Sequence, residues 1–266
     1  MNSSPELSII VVNFNSSAFI LKCLATLKEA FAGKTHEVIV IDNHSWDESC
    51  WLIREKYPHL LLIENDKNLG YARAVNQGFR KAKGKYLLIL NPDVQLLSGS
   101  IDKMTYFLEG NPEVGLLLPK LINPDGSLQL SCRTFYDFST FLFRRTPLGK
   151  IFPNHTIIRR HLMMDWDHGE VREVDWGLGA CMFLRREALK GERIFDERFF
   201  LYFEDVDLCL RMKQEGWKVV YYPEAVMVHT HVRQSADGLF NYAKWEHFKS
   251  LIKFYCKHRG FRPRIS

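Results

Sequence analysis

The stretch Gly84-Lys85-Tyr86-Leu87-Leu88-Ile89-Leu90-Asn91-Pro92-Asp93-Val94 decides how this chain folds. Tyr86 to Leu90 is an unbroken apolar run bounded by glycine and proline, the pattern of a strand buried on both faces. Asn91-Pro92-Asp93 then ends it, because proline has no N–H for the ladder and steers the residue before it away from helix. Asp93 is thereby delivered just past the carboxyl end of a central strand, the edge at which open α/β sheets bind ligands. Alone, the triplet is equally a strand-ending turn whose Asp caps the next element. Its neighbours in the chain decide between the two.

Residues 7–12 are a second buried run, ended by the polar cluster Asn13-Phe14-Asn15-Ser16-Ser17. A helix follows, with Phe19, Ile20, Cys23, Leu24 and Leu27 at helical spacing. Residues 37–41 are a third run, ended by Asp42-Asn43-His44-Ser45; residues 51–56 read as helix and 60–64 as strand. The loop Asn65-Asp66-Lys67-Asn68-Leu69-Gly70 precedes a helix over 71–82 that leads into the opening strand. Such strand–helix alternation predicts a parallel sheet with right-handed crossovers. Three strands ending in Asn or Asp at one edge would form a polar crevice able to hold a nucleotide.

The second half is less regular. Residues 100–109 read as helix and 114–119 as strand. Residues 135–158 mix aromatics with Arg144, Arg145 and Lys150; they read equally as a mobile loop, a partly packed connection or an amphipathic segment on a membrane surface. Residues 174–184 hold a glycine-punctuated turn entering an apolar strand. In Tyr202-Phe203-Glu204-Asp205-Val206-Asp207-Leu208, a helix running to Gly216 places Glu204 and Asp205 in its first turn, where the dipole favours their charge. Asp207 and Arg211, spaced i,i+4, are expected to pair on the helix surface. Residues 218–222 read as a short strand closed by Pro223, and 226–228 lead to His229-Thr230-His231. Residues 239–255 read as a helix with aromatic anchors and a basic end.

With 266 residues, 46% of them hydrophobic, the chain can build one large α/β domain or two small ones. The net charge of +5 is mild, its excess base concentrated in residues 133–160 and 244–264. No nucleic-acid motif accompanies it, so no nucleic-acid partner is expected. Six cysteines without C-x-x-C spacing read as reduced thiols. The start of the chain is polar up to Leu7, so no secretory leader is expected. No apolar run approaches the roughly 20 residues that span a bilayer. The expected location is the cytoplasm, with peripheral contact on the inner face of the cell membrane left open.

One family joins these pieces. The segments Val11-Val12-Asn13-Phe14-Asn15, Val40-Ile41-Asp42-Asn43, Asn68-Leu69-Gly70-Tyr71-Ala72 with Asn76, Leu90-Asn91-Pro92-Asp93, residues 177–181, residues 202–208 and His229 cover nearly the whole chain in order. In them the chain resembles the inverting glycosyltransferases of family 2, most closely rhamnosyltransferase-like members. The resemblance implies a single GT-A domain over 1–266, an α/β fold with a Rossmann-like mixed sheet. Residues 1–95 would bind the nucleotide-sugar and 96–235 the acceptor, with a basic helix and tail over 236–266.

It also implies roles. Asp93 and His229 would hold Mg²⁺ or Mn²⁺, with His231 an alternative ligand or a donor to a phosphate. The metal would neutralise the diphosphate leaving group. Asn91 stands where many relatives have a first Asp and brings no charge, which lowers the expected metal affinity. Asp42 would read the uracil or thymine, with Asn13 and Asn15 packing on base and ribose. Asn68, Gly70 and Asn76 would close over the donor, Gly70 allowing close approach. Asp205 would be the general base that inversion requires and Glu204 its acceptor-binding or orienting neighbour, with Asp175 and Trp176 on the acceptor side. The Asn-Pro-Asp and Glu-Asp-Val-Asp forms look like those of enzymes using dTDP-L-rhamnose; UDP-sugars remain open. The acceptor would be a saccharide or a lipid-linked saccharide of a surface polysaccharide. A sugar-phosphate nucleotidyltransferase would need a glycine-rich, basic loop after the first strand, which residues 13–17 lack. A non-catalytic module of the same fold would not need Asp93, Asp205 and His229 together.

Overall fold

The structure is a computed structural model describing residues 5–30, 35–145, 148–230 and 242–258. The first half runs β1 (Leu7–Asn13), α1 (Ser17–Ala30), β2 (His36–Asp42), α2 (Ser49–Lys56), β3 (Leu61–Glu64), α3 (Tyr71–Phe79), β4 (Tyr86–Leu90), β5 (Val94–Leu96) and α4 (Ser100–Gly110). After β6 (Val114–Ile122) and β7 (Cys132–Arg133) come short helices α5 (Phe138–Arg145), α6 (Leu148–Ile151) and α7 (Thr156–His161). The chain continues through β8 (Arg172–Glu173), β9 (Trp176–Gly177), β10 (Cys181–Arg185), α8 (Glu204–Gln214), β11 (Lys218–His229) and α9 (Tyr242–His258).

The main sheet has the order β3-β2-β1-β4-β10-β6-β11-β5, with β8 added against β11. Strands β3, β2, β1 and β4 are parallel, as the alternation predicts. Beyond β4 the sheet is mixed, since β10 runs antiparallel to both β4 and β6. Register puts Asn13 opposite Asp42 and Val11 opposite Leu90, so the three polar strand ends share one edge.

Period two sorts each strand between two cores. Ile10, Val12, Ile39, Ile41, Leu87 and Ile89 face α3, α8 and α9, while Ile9, Val11, Val38, Val40, Leu88 and Leu90 face α1, α2 and α4. Both faces of the central strands are therefore covered, which is why they read as continuous apolar runs.

Three sequence expectations change. The expected short strand over 218–222 continues through Pro223 as β11, with its pairing to β6 irregular between Tyr222 and Val226, where a residue without an N–H is tolerated. Helix α3 stops at Phe79, short of residue 82. Among the described residues of 135–158 are helices α5, α6 and the start of α7, with residues 135–137 and 152–155 non-helical; Tyr136 and Ile158 are buried but Phe138, Ile151 and Phe152 exposed.

Candidate active site

At the end of β1 and β2 a polar cluster closes on itself. Asp42 Oδ1 accepts from Asn13 Nδ2 at 2.7 Å and Ser45 Oγ at 2.6 Å, and Oδ2 accepts from Ser45 N at 2.9 Å. Asn15 N donates to Ser45 Oγ at 2.9 Å, and its Oδ1 accepts from Trp46 N at 2.9 Å. Asp42 and Asn13 are both buried, so the first role of the Asp42 carboxylate is to shape this rim. One buried atom here, Asn13 Oδ1, has no partner among the described residues.

Asn43, which the sequence reading gave no role, ties the rim to the next loop. Its Nδ2 donates to Asn68 Oδ1 at 2.8 Å and its Oδ1 accepts from Leu69 N at 2.9 Å. Gly70 follows with φ +86°, and a Cβ there would lie 2.6 Å from the Phe200 ring and 2.7 Å from the Phe200 carbonyl oxygen. Glycine is required by both facts. Asn76 corrects the expectation of a donor contact. It is buried, its Oδ1 accepts from the backbone of Ile194 and Phe195, and its Nδ2 donates to the Phe195 carbonyl at 2.9 Å. Its amide is occupied in clamping residues 194–195 to α3.

The metal side is built by pairing β5 with β11, which sets His229 opposite Val94. His229 Nε2 lies 3.5 Å from Asp93 Oδ2, and Thr230 N donates to the Asp93 carbonyl at 2.9 Å. Gln129 grips the histidine from both sides: Nε2 donates to the His229 carbonyl at 2.7 Å, and Oε1 faces Nδ1 at 2.8 Å. An amide oxygen only accepts, so Nδ1 is the donor in that contact and Nε2 is the ring nitrogen turned towards Asp93. Asp93 Oδ1 is buried and has no partner among the described residues. An imidazole nitrogen and a carboxylate turned towards each other, beside an orphaned carboxylate oxygen, fit a divalent cation, and carboxylate with imidazole suits Mn²⁺. No cluster of three or more such ligands occurs among the described residues, so phosphate oxygens and water would complete the shell. His231 lies outside the described residues.

The acid pair begins α8. Tyr202 and Phe203 both take left-handed backbone, φ 68° and 70°, a cost of roughly 1–3 kcal/mol each that aims the next two side chains. Asp205 Oδ2 accepts from Gly179 N at 3.1 Å and Oδ1 from Val206 N at 2.8 Å. Burial pushes its pKa up to about 6, against those two N–H donors and the Arg133 guanidinium. Glu204 is buried outright, and burial together with the Asp205 charge lifts it well above the usual carboxylate range. The expected preference for charge at this helix start is thus overridden by desolvation. Asp207 corrects another expectation. It does pair with Arg211, at 2.8 Å, but in the interior, where Lys257 and His258 of α9 also meet it. Asp175 accepts from Phe135 N at 2.8 Å, and Trp176 Nε1 donates to the Thr134 carbonyl at 3.0 Å, so both hold the segment after β7 in place.

Tyr71 joins the side of Asp93 and His229 to Asp205. Its hydroxyl lies 3.0 Å from Asn91 Oδ1 and 3.3 Å from the Gly179 carbonyl, while Asn91 N donates to the Ala180 carbonyl at 2.9 Å. Burial, then the charges of Glu204, Asp205 and Asp93, push the phenol well above its usual pKa. Asp93, Asn91, Tyr71, Gly179 and Asp205 therefore share one rim. A separate cleft of about 420 Å³, lined by Lys67, Asn68, Arg73, Arg198 and Lys253 among others, contains none of the acids of that rim.

A mixed α/β sheet with a polar rim, a carboxylate–imidazole pair and an acid opening a helix defines a GT-A glycosyltransferase. The mannosyltransferase PcManGT from Pyrobaculum calidifontis, solved with GDP-Man and Mn²⁺, shares the fold with a TM-score of 0.61 over 99% of this chain and 67% of that one, at 18% identity. Residues 8–164 match the model of Glycosyl transferase family 2, and residues 150–249 that of Glycosyl transferase family group 2. The chain belongs to glycosyltransferase family 2 and is a hexosyltransferase; the nucleotidyltransferase alternative falls. It is 29% identical to an N-acetylglucosaminyl-diphospho-decaprenol L-rhamnosyltransferase of Mycobacterium tuberculosis, covering 96% of this chain and 86% of the relative. It is 25% identical to the rhamnosyltransferase WbbL of Escherichia coli, covering 94% and 93%.

Proposed function

We propose that the chain transfers L-rhamnose from dTDP-L-rhamnose, with inversion, to a saccharide or lipid-linked saccharide in surface polysaccharide biosynthesis. Asp205 takes the proton from the acceptor hydroxyl as it attacks, and its pKa of about 6 leaves it ionised at neutral pH and close to the optimum for a base. Glu204, whose carboxyl is pushed well above the usual range by burial and the Asp205 charge, binds the acceptor or orients the base. Asp93 and His229 would hold the divalent ion, which would supply charge neutralisation at the departing diphosphate. Asn13, Asn15 and Asp42 shape the rim for base and ribose, and Asn68 and Gly70 the loop closing over it; Asn91 faces the same rim.

The observation that supports this reading is the hydrogen-bonded chain Tyr71–Asn91–Gly179–Asp205, which links the first turn of α8 to the strand end just before Asp93. The rhamnosyl donor draws support from the names of the two relatives. A lipid-linked acceptor, named in the mycobacterial relative, would bring the enzyme to the cytoplasmic face of a membrane. Exposed Phe138, Ile151 and Phe152 of the α5–α6 segment give it apolar contacts there. No helix among the described residues is long and apolar enough to cross one.

The test is a melting screen of nucleotide sugars with Mn²⁺, followed by proton NMR of the product formed from the best donor. A dTDP-L-rhamnose shift larger than any UDP-sugar shift, with the opposite anomeric configuration in the product, is expected. A larger UDP-sugar shift would replace the donor, and retained configuration would remove the single-base mechanism.

A further inference from the structure

Helix α9 carries two apolar faces. Leu251 and Phe254, 4% and 2% exposed, are part of the core. On the same side Ser250 Oγ donates to the Leu201 carbonyl at 2.8 Å, and Phe254 packs 5.4 Å from the Phe203 ring. Trp245, Phe248, Ile252 and Tyr255, spaced three, four and three apart, make one stripe along the outer side. They are 56, 48, 47 and 46% exposed. Folding accounts for one apolar stripe on a surface helix; a second one, with two of the largest side chains in it, marks a contact.

We propose that this outer stripe is a docking face for an anionic lipid surface. Tryptophan and tyrosine prefer the headgroup layer, where their rings find both apolar and polar neighbours. Lys249 and Lys253 run along one edge of the stripe, and the chain carries a net charge of +5. Lys249 lies 5.5 Å from the centre of the Trp245 ring and pairs with Glu246 at 2.8 Å. Lys253 donates to the Arg198 carbonyl at 2.6 Å and keeps its charge without a carboxylate in that bond. An aromatic stripe edged by lysine is the composition of a helix lying in the membrane interface. A second copy of the chain is a poorer occupant. Four side chains of one helix fall well short of the roughly 20–30 residues a side that a stable protein interface uses.

The inner face of the same helix gives the docking a purpose. The His247 ring lies 5.0 Å from Tyr202 and 5.1 Å from Phe203, the two residues that aim Glu204 and Asp205. A surface bound by α9 is thereby brought beside the turn that carries the base, where a lipid-linked acceptor would arrive. That purpose rests on the function proposed above; the binding itself does not.

The experiment is flotation of the full chain with vesicles of equal parts phosphatidylglycerol and phosphatidylcholine, and with phosphatidylcholine alone. Wild type is expected to float with the anionic vesicles, less so as salt rises. The double variant Phe248→Ser, Ile252→Ser is expected to lose roughly tenfold or more in partitioning with an unchanged Tm. Equal flotation of the double variant, or none of the wild type, overturns the proposal. A fall in its Tm without lipid would show that the stripe packs within the protein, and a dimer lost on mutation without vesicle binding would assign it to a second copy; either also overturns it. Transfer to a short water-soluble acceptor is measured in parallel and is expected to be the same in both. Its absence from wild type would count against the proposed reaction and leave the binding result standing.

Discussion

A carboxylate that accepts a proton at neutral pH works best with a pKa near that pH, and burial gives Asp205 one of about 6. Transfer is therefore expected to fall as pH drops through about 6, by about tenfold per unit below it. Stability runs the other way. The folded pKa lies above the ordinary 3.8, so the contribution of the protonated form is complete below that value and lost as pH rises through about 6. Asp205→Asn keeps the shape and removes the charge. It is expected to cut turnover by roughly a hundredfold or more while raising Tm by a few degrees at mildly alkaline pH. Retained turnover would take the base role from Asp205, and a lower Tm would show that its charge is not costly in the fold. That Glu204 and Asp205 open a helix was legible in the motif. The altered pKa of Asp205 was not, because nothing in the local sequence says how deeply the start of α8 is buried.

The elements were legible where one period governs them. The parallel run β3-β2-β1-β4 follows from apolar runs ended by polar residues, and its register delivers Asn13, Asp42 and Asn91 to one edge. Contacts made across long sequence distances were not. Asn76 bonds residues 118 and 119 positions away, so its spacing in α3 gave no hint of a buried clamp. Strand β10 enters between β4 and β6 from far along the chain, and no local pattern announces that it runs antiparallel. Tyr71 belongs to the same class, reaching from α3 to acceptors on both the β4 end and the glycine turn. With its hydroxyl removed, the base and the metal side keep their own partners but lose the strut between them. Tyr71→Phe is expected to lower kcat by about tenfold, the scale of one buried hydrogen bond, with donor Kd changed by less than a few-fold. An unchanged kcat would make Tyr71 a packing residue only.

At the scale of the molecule, the proposed donor site is divided between parts of the chain that only the fold brings together. Asp93 immediately precedes β5, His229 closes β11, and Gln129, which bonds the imidazole, comes from neither strand. A nucleotide bound with a metal would therefore bridge the sheet edge near β1 and β2 to the far strand β11. Ligands that bind only the folded state stabilise it logarithmically in their concentration relative to Kd, by about 2.7 kcal/mol at a hundred times Kd. For a chain of this size that corresponds to a Tm rise of roughly 5–10 °C with dTDP and Mn²⁺ together. Either alone is expected to give much less, because the diphosphate needs the cation and the cation needs its oxygens. Asp93→Ala should abolish the metal-dependent part and leave the nucleotide-only shift. Gln129→Leu, which releases the imidazole without touching a ligand atom, should weaken Mn²⁺ by about 10–100-fold. If Asp93→Ala kept the full combined shift, the cation would have to sit elsewhere. If Gln129→Leu had no effect, the imidazole would not be among its ligands, and the carboxylate alone would have to hold the metal against the diphosphate.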